Sequence, residues 1–436
     1  MAQAQALLIA YACVPGQSGP GQRAARRALA LAGSTDMDIL SARCHDRPHI
    51  EKLNGKARLL RVSMRGDTLG ARLGAFQRAV RRQLAGGDYQ LVVFSDPYSG
   101  VEVLDARASH PHKAVFDAAQ PAWLELLSRM ESGSEPRDEA LLEEMRTREA
   151  RCYAESDAVV LPTESAKLRL SLLGVTPRLV RVAPSAVELA RFPLPARVRA
   201  PGAALRAVYL GSGSPWQGLD VLVPALARAV QLGANVRLSV AGVIGARLRQ
   251  LVDDAVLANV ADRVDVHGEI SPDEVPPLLA ASDVGLCPLP AIARNEAGVS
   301  PQKVVEYLAS GLPVIMSDLT CAREHLGDGD AGLLVAAGDP ESFARALVRL
   351  AHDEELRGRL SQRARRAAEL RFTAEREAGE LTALAAQLTS AGVAFDPGAF
   401  APESTERTAD DPLEPTSDSL TDPTFSPPWT APRKSR

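Results

Sequence analysis

The sequence predicts an α/β protein of two domains, each built on a parallel sheet. Three observations carry that expectation. Short runs rich in Val, Ile and Leu alternate with helix-period segments over most of the 436 residues, the pattern of a parallel sheet covered on both faces. The alternation stops in PSAVELARFPLPARVRAPGAA, which carries Pro193, Pro195, Pro201 and Gly202, and restarts at Arg206, so a linker separates two units. Within the second unit, EAGVSPQKVVEYLASGLPVIMSD (Glu296 to Asp318) reads as loop, helix and buried strand in succession.

In the first unit, apolar runs predict strands at 7–11, 38–40, 59–62, 91–94, 113–116, 158–161 and 179–182. A helix is expected over 23–32, after the loop VPGQSGPGQR, and two helices broken near Gly133 and Pro136 lie between Trp123 and Tyr153. The second unit gives strands at 206–210, 236–241, 264–266, 284–286, 313–316 and 333–335, closed by helices over 340–352, 354–371 and 374–390. In the central stretch, Pro301 suits the first position of a helix over 302–309 and Gly311 the left-handed residue past its end. The expected domains are 1–195 and 203–375, followed by a C-terminal helix at 376–396 whose return to the first domain is left open. Residues 397–436 hold eight Pro and seven acidic residues; such a segment buries too little apolar surface to offset its ordering entropy and is expected to be disordered.

Apolar content of 46% is ample for two cores, and a net charge of −4 argues against a dedicated nucleic-acid binder. Cys13, Cys44, Cys152, Cys287 and Cys321 are scattered and odd in number. They predict neither a zinc site nor a disulfide framework, and fit a reducing, cytoplasmic setting. No basic n-region precedes the first apolar run, which reads as a strand rather than a signal peptide. No apolar run reaches the length of a membrane span. Arg23, Arg26, Arg27 and Arg78, Arg81, Arg82 form basic helix faces that suit either solvent or a lipid surface.

Three loops offer chemistry. The first, with Gly16, Gly19, Gly21, Gln22 and Arg23, precedes a helix N-terminus where phosphate is favoured, and serves equally as a tight turn. Its G-x-x-G-x-G spacing and the absence of an acidic residue closing the second strand disfavour a nicotinamide dinucleotide. The second, GSGSPWQGLD from Gly211, offers Ser212, amides near Gly213 and the Gln217 amide to phosphate oxygens; Trp216 serves equally as interdomain packing. The third holds Lys303 and Glu306, with no other Lys between Lys167 and Lys434. Their spacing suits a solvated i,i+3 ion pair of about 0.2–0.5 kcal/mol. A charge pair at this spacing is usually a solvated face; the other reading is a cation and helix N–H groups on a diphosphate, with a carboxylate accepting from vicinal hydroxyls.

LPTESAKLRLSLLGVTPRLVRVAPSAVELARF, VYLGSGSPWQGLDVLVPAL, VRLSVAG, SPQKVVEYLASGLPVIMSD and AGLLVAAGDPESFARAL follow one another in the order seen in retaining glycosyltransferases of the GT-B fold, family 4, which the sequence resembles. The resemblance covers 156–350 well, 7–35 moderately, and is weak between 43 and 154. It implies two Rossmann-like domains facing across a cleft, and transfer of a sugar from a nucleotide-diphosphate donor with retained configuration, as in polysaccharide biosynthesis. Glu306 matches the family's ribose-binding second Glu. The first Glu falls on Gly298, so the match is to the variant S-P-x-K-x-x-E-Y, with the backbone of Gly298, Val299 and Ser300 near the sugar. The family's diphosphate-clamping Lys and Arg fall on Gln217 and the Ser212–Ser214 region, which leaves Lys303 to supply charge. The usual His-Asp reads Phe116-Asp117, so only Asp117 carries over.

The resemblance thus implies a catalytic set of Lys303, Glu306 and Asp117. Donor contacts come from Gly19, Gly21, Gln22, Ser212, Gly213, Gln217, Gly298, Val299 and Ser300. No cofactor or metal is expected, the nucleotide sugar being substrate. The acceptor is a saccharide or lipid-linked molecule, with peripheral membrane contact left open. A rival of another class is a non-catalytic scaffold of this fold that binds a nucleotide sugar or a protein partner.

Overall fold

The computed structural model describes residues 5–14, 16, 19–33, 35–43, 47–53, 57–64, 66–194 and 202–389. The expected tail over 397–436, and the end of the expected helix beyond Thr389, lie outside the described residues.

The first sheet has eight strands: β1 (Gln5–Cys13), β2 (Asp36–Ala42), β3 (Ile50–Leu53), β4 (Ala57–Val62), β5 (Leu91–Phe94), β6 (Lys113–Asp117), β7 (Ala158–Leu161) and β8 (Val180–Val182). Their order is β3-β4-β2-β1-β5-β6-β7-β8, all parallel except the β3–β4 pair. Helices α1 (Gly19–Ala32), α2 (Leu69–Gly86), α3 (Pro97–Ala106), α4 (Ala122–Glu131), α5 (Glu139–Glu155) and α6 (Glu164–Leu172) cover it. Thr68, Asp96, Asp138 and Thr163 each accept a backbone N–H as N-caps of α2, α3, α5 and α6, a contribution of about 1 kcal/mol apiece. The LVVF and AVVL runs of β5 and β7 are buried throughout, because helices on both faces leave no solvated side. β3 is an addition to the expected strands: its IEKL sequence sets two charged residues between two apolar ones, on an edge.

The second sheet has six parallel strands: β9 (Leu205–Leu210), β10 (Val236–Ala241), β11 (Val264–Gly268), β12 (Val284–Cys287), β13 (Val314–Ser317) and β14 (Gly332–Val335), in the order β11-β10-β9-β12-β13-β14. Its helices are α7 (Leu222–Gln231), α8 (Gly245–Leu257), α9 (Val275–Ala280), α10 (Ala293–Glu296), α11 (Gln302–Ala309), α12 (Ala322–Leu326), α13 (Pro340–His352) and α14 (Glu354–Arg371). In α13, Phe343, Leu347 and Leu350 recur at helical spacing and enter the core beside Leu226 and Leu222 of α7.

Both sheets reverse their order about the first strand, between β1 and β5 and between β9 and β12. At such a switch point adjacent loops diverge and leave a crevice beyond the strand ends. Every loop singled out in the sequence leaves one of these ends. The chain pairs Val187 with Thr373 in a short parallel bridge between the domains. It then runs into α15 (Ala374–Thr389), which lies on α1 and places Leu381 and Leu384 in the first-domain core.

Two expectations are corrected. Cys13 is disulfide-bonded, since spacing along a chain does not report which residues a fold brings together; Cys152, Cys287 and Cys321 are free and buried. Pro301 is the N-cap of α11 rather than its first helical residue, its ψ of 121 keeping it extended. Gly311 is left-handed, as expected, with φ 64. No helix among the described residues is long and apolar enough to cross a membrane.

Candidate functional site

The loop after β9 and the N-terminal turn of α11 meet at one point. Lys303, 8% exposed, lays its Nζ over the Tyr209 ring, 4.1 Å from the centroid. Gln217 Oε1 accepts from Tyr209 Oη at 3.0 Å and from the Gly213 amide at 3.2 Å. A Cβ on Gly211 would fall 2.4 Å from Gln217 Oε1 and 2.9 Å from Lys303 Nζ, and Gly211 has φ +152. Only glycine lets the strand end approach this cluster. Lys303 Nζ itself has no hydrogen-bond partner. Burial lowers its pKa to about 8, opposed by Cys287 and Glu306 nearby. A solvated ion pair with Glu306 is therefore not what these residues form. The arrangement leaves an enclosed ammonium with unused donors, which suits an anion.

Glu306, half-buried on the same helix, accepts from Gln302 Nε2 at 3.3 Å. Burial raises its carboxyl to about 7, against the pull of Gln302, Arg26 and Arg191. Ser212 is exposed and shares a hydrogen bond with Ser214 at 2.8 Å. Gly213 is buried and its carbonyl accepts from Arg247 Nε.

The loop at 298–300 is tied to the first domain. Thr163 donates to the Gly298 carbonyl at 2.6 Å; Ser185 donates its amide to Ser300 Oγ at 3.0 Å and its hydroxyl to the Ser300 carbonyl at 2.7 Å. Val299 is buried between them at 7% exposure. Gly298 has φ +89, and a Cβ there would meet the Ala166 amide nitrogen at 2.5 Å. A carboxylate side chain has no room at this position, because first-domain backbone occupies the space. Ser300 Oγ lies 2.9 Å from His325 Nε2, while His325 Nδ1 lies 2.8 Å from the Cys321 carbonyl. A carbonyl only accepts, so Nδ1 carries the proton and Nε2 accepts from Ser300. Burial lowers the His325 pKa to about 4 and keeps the ring neutral. Glu324 accepts from the Glu164 and Ser165 amides at the start of α6, capping a first-domain helix from the second domain.

In the first domain α1 begins at Gly19, with Gly21 buried and Gln22 half-buried in its opening turn. Arg23 and Arg27, one helical step apart, both pair with Asp117 at the end of β6. Burial pushes the Asp117 carboxyl up, but the two guanidinium groups outweigh it and hold the group below its usual value. Arg27 also reaches Glu377 of α15 at 3.1 Å. These arginines therefore form a buried network rather than a solvated or lipid-facing surface, and Asp117 is committed to it. Arg26 continues the chain of contacts, bonding Glu377 at 3.2 Å and Gln302 Oε1 at 3.3 Å, so Asp117 and Glu306 are joined through α1.

The structure thus brings Lys303, Gln217 and Gly213 together, with Glu306 a turn away. It places Gly19, Gly21, Gln22 and Asp117 on the facing domain. Sequence reasoning missed Tyr209, Thr163, Ser185, Glu324, His325 and Arg294, whose roles come from partners far along the chain. Arg294, on α10, is 9% exposed, stacks 5.0 Å from the Trp216 ring centroid and donates to Gln120 of the first domain.

Residues 204–353 match the family described as glycosyl transferases group 1. The D-inositol 3-phosphate glycosyltransferase of Xylanimonas cellulosilytica is 32% identical over 258 residues, 55% of this chain and 59% of that protein. The chain spans less than two thirds of the length of the curated relatives it matches. The sucrose-phosphate synthase of Thermosynechococcus elongatus has a similar structure, with a TM-score of 0.75 at 20% identity over 88% of this chain and 99% of that one. So does Anabaena Alr3699/HepE, solved in complex with UDP-glucose, with a TM-score of 0.65 at 15% identity over 88% and 99%. The fold is GT-B, and the resemblance to family 4-like glycosyltransferases holds.

Proposed function

We propose, from a chain of GT-B fold whose second domain matches the group 1 glycosyltransferases, that this protein moves a sugar from a nucleoside-diphosphate donor to an acceptor hydroxyl with retained configuration. The observation that carries the reading is the enclosed, unpartnered ammonium of Lys303 at the second sheet's switch point, with Glu306 one turn along the helix.

In this reading the diphosphate lies against Lys303 and the amides of the loop after β9, and Glu306 accepts from the ribose hydroxyls. As the bond from the anomeric carbon to the phosphate oxygen breaks, positive charge spreads over the sugar and negative charge collects on the leaving diphosphate. A fixed cation there stabilises that charge without reorganising, worth roughly 10²–10³ in rate for one donor. The acceptor oxygen attacks from the face the diphosphate leaves, and the departing phosphate oxygen takes its proton. Asp117 holds Arg23 and Arg27 in place and moves no proton. The relative that acts on D-inositol 3-phosphate supports a saccharide-like polyol, free or lipid-linked, as acceptor.

The test is turnover of UDP-, GDP- and ADP-sugars by purified protein, read as nucleotide released. One donor should be consumed, and Lys303→Ala and Glu306→Ala should each slow it at least tenfold. Tight nucleotide binding without turnover on any donor or acceptor would leave a scaffold instead.

A further inference from the structure

The loop after β9 has Ser212 to Ser214 and Gln217 where the resembled family has its diphosphate-binding cations, so a single ammonium would face two phosphates. The molecule holds a second buried cation beside that loop. Arg294 Nη1 donates to Asn295 Oδ1 at 3.0 Å, and Nη2 donates to Gln120 Oε1 at 2.5 Å. Its guanidinium stacks on Trp216, the residue next to Gln217. Asn295 is fixed in turn, donating to the Trp216 carbonyl at 2.9 Å and the Pro290 carbonyl at 3.0 Å. Arg294 Nε is buried and bonded to nothing.

The charge is also incompletely matched. Glu125 Oε2 stands 3.8 Å from Nη2 and is 30% exposed, beyond hydrogen-bond reach. A buried guanidinium with an idle N–H and a single ion-pair partner that makes no hydrogen bond to it is costly unless something else completes it. Trp216, Asn295 and Gln120 engage its face and its two terminal nitrogens and fix the group, while Nε is left unused. Lys303 Nζ, beside Gly211 at the start of the same loop, is idle in the same way.

We propose that Arg294 is the second cation that grips the donor diphosphate, acting with Lys303 in place of a basic pair in the loop after β9. This rests on the nucleoside-diphosphate reading above. Because Nη2 is held by Gln120 of the first domain, the grip is complete only when the two domains meet.

The experiment is calorimetric titration of wild type, Arg294→Met, Arg294→Lys and Lys303→Met with UDP, GDP and ADP, and then with the monophosphate and nucleoside of whichever binds. Arg294→Met should weaken the diphosphate about tenfold or more and leave the nucleoside unchanged; Arg294→Lys should recover part of the loss. Equal affinity of Arg294→Met and wild type for the diphosphate would overturn the assignment, and so would an equal loss for diphosphate and nucleoside. If wild type binds no nucleoside diphosphate at all, the donor reading itself fails, which is a different result.

Discussion

The ammonium of Lys303 rests 4.1 Å from the centre of the Tyr209 ring with no hydrogen-bond partner, while Glu306 lies one turn along the same helix. Burial sets the two pKa values at about 8 and about 7. A diphosphate needs Lys303 charged, and ribose hydroxyls need Glu306 ionised. Nucleotide affinity should therefore peak between about pH 7 and 8, falling at most about tenfold per unit on either side. Calorimetry across pH measures this. Lys303→Met should flatten the alkaline limb and Glu306→Gln the acid limb.

The same shifts act on stability with opposite slopes. The Glu306 carboxyl is raised from 4.5, so the native state holds more protons from there to about 7, and its contribution falls as pH rises through that window. Lys303 is lowered from 10.5, so the unfolded chain holds more protons between about 8 and 10.5, and stability rises with pH there. Glu306→Gln should raise the melting temperature at pH 8 relative to wild type, where an ionised, half-buried carboxylate costs most.

Gly298→Glu would restore the residue type the resembled family carries. It should not restore a sugar contact, because the position has φ +89 and its Cβ would strike backbone at Ala166. Thermal melting should show a loss of roughly 1–3 kcal/mol, with weaker nucleotide binding as the loop is pushed from Thr163.

Asp117→Asn leaves Arg23 and Arg27 buried with only Glu377 to balance them. Removing one partner of a buried network costs about 3–5 kcal/mol. Denaturant titration should show that loss, and turnover per folded molecule should change far less if Asp117 is a positioning residue.

His325→Phe keeps the stack on Phe372, whose ring lies parallel at 5.5 Å, but removes the acceptor for the Ser300 hydroxyl. Hydrogen exchange should speed up at the 299–300 amides while that of α12, which carries residue 325, is unchanged.

Both sheets were readable in the sequence because buried parallel strands are continuous apolar runs bounded by turn residues, as in LVVF of β5 and VIM of β13. The span of α11 followed from Pro301 and Gly311, with Pro301 standing one place earlier, as the N-cap. What stayed hidden is non-local. Arg23 and Arg27 look like a basic face at helical spacing, and nothing nearby says that Asp117 and Glu377, 94 and 350 residues away, cover them. The gap at Gly298 was visible as a missing carboxylate, but its cause, the approach of α6, was not. Arg294 carried no local signal, since its partners Gln120 and Trp216 belong to different domains.

The last described helix finishes the first domain. Until α15 has left the ribosome, Arg27 has no Glu377 and the face of β1 has no Leu381 or Leu384. The N-terminal half must therefore wait, unfinished, for nearly the whole chain to be made. A stop codon ahead of residue 374 would spoil the half that was translated first.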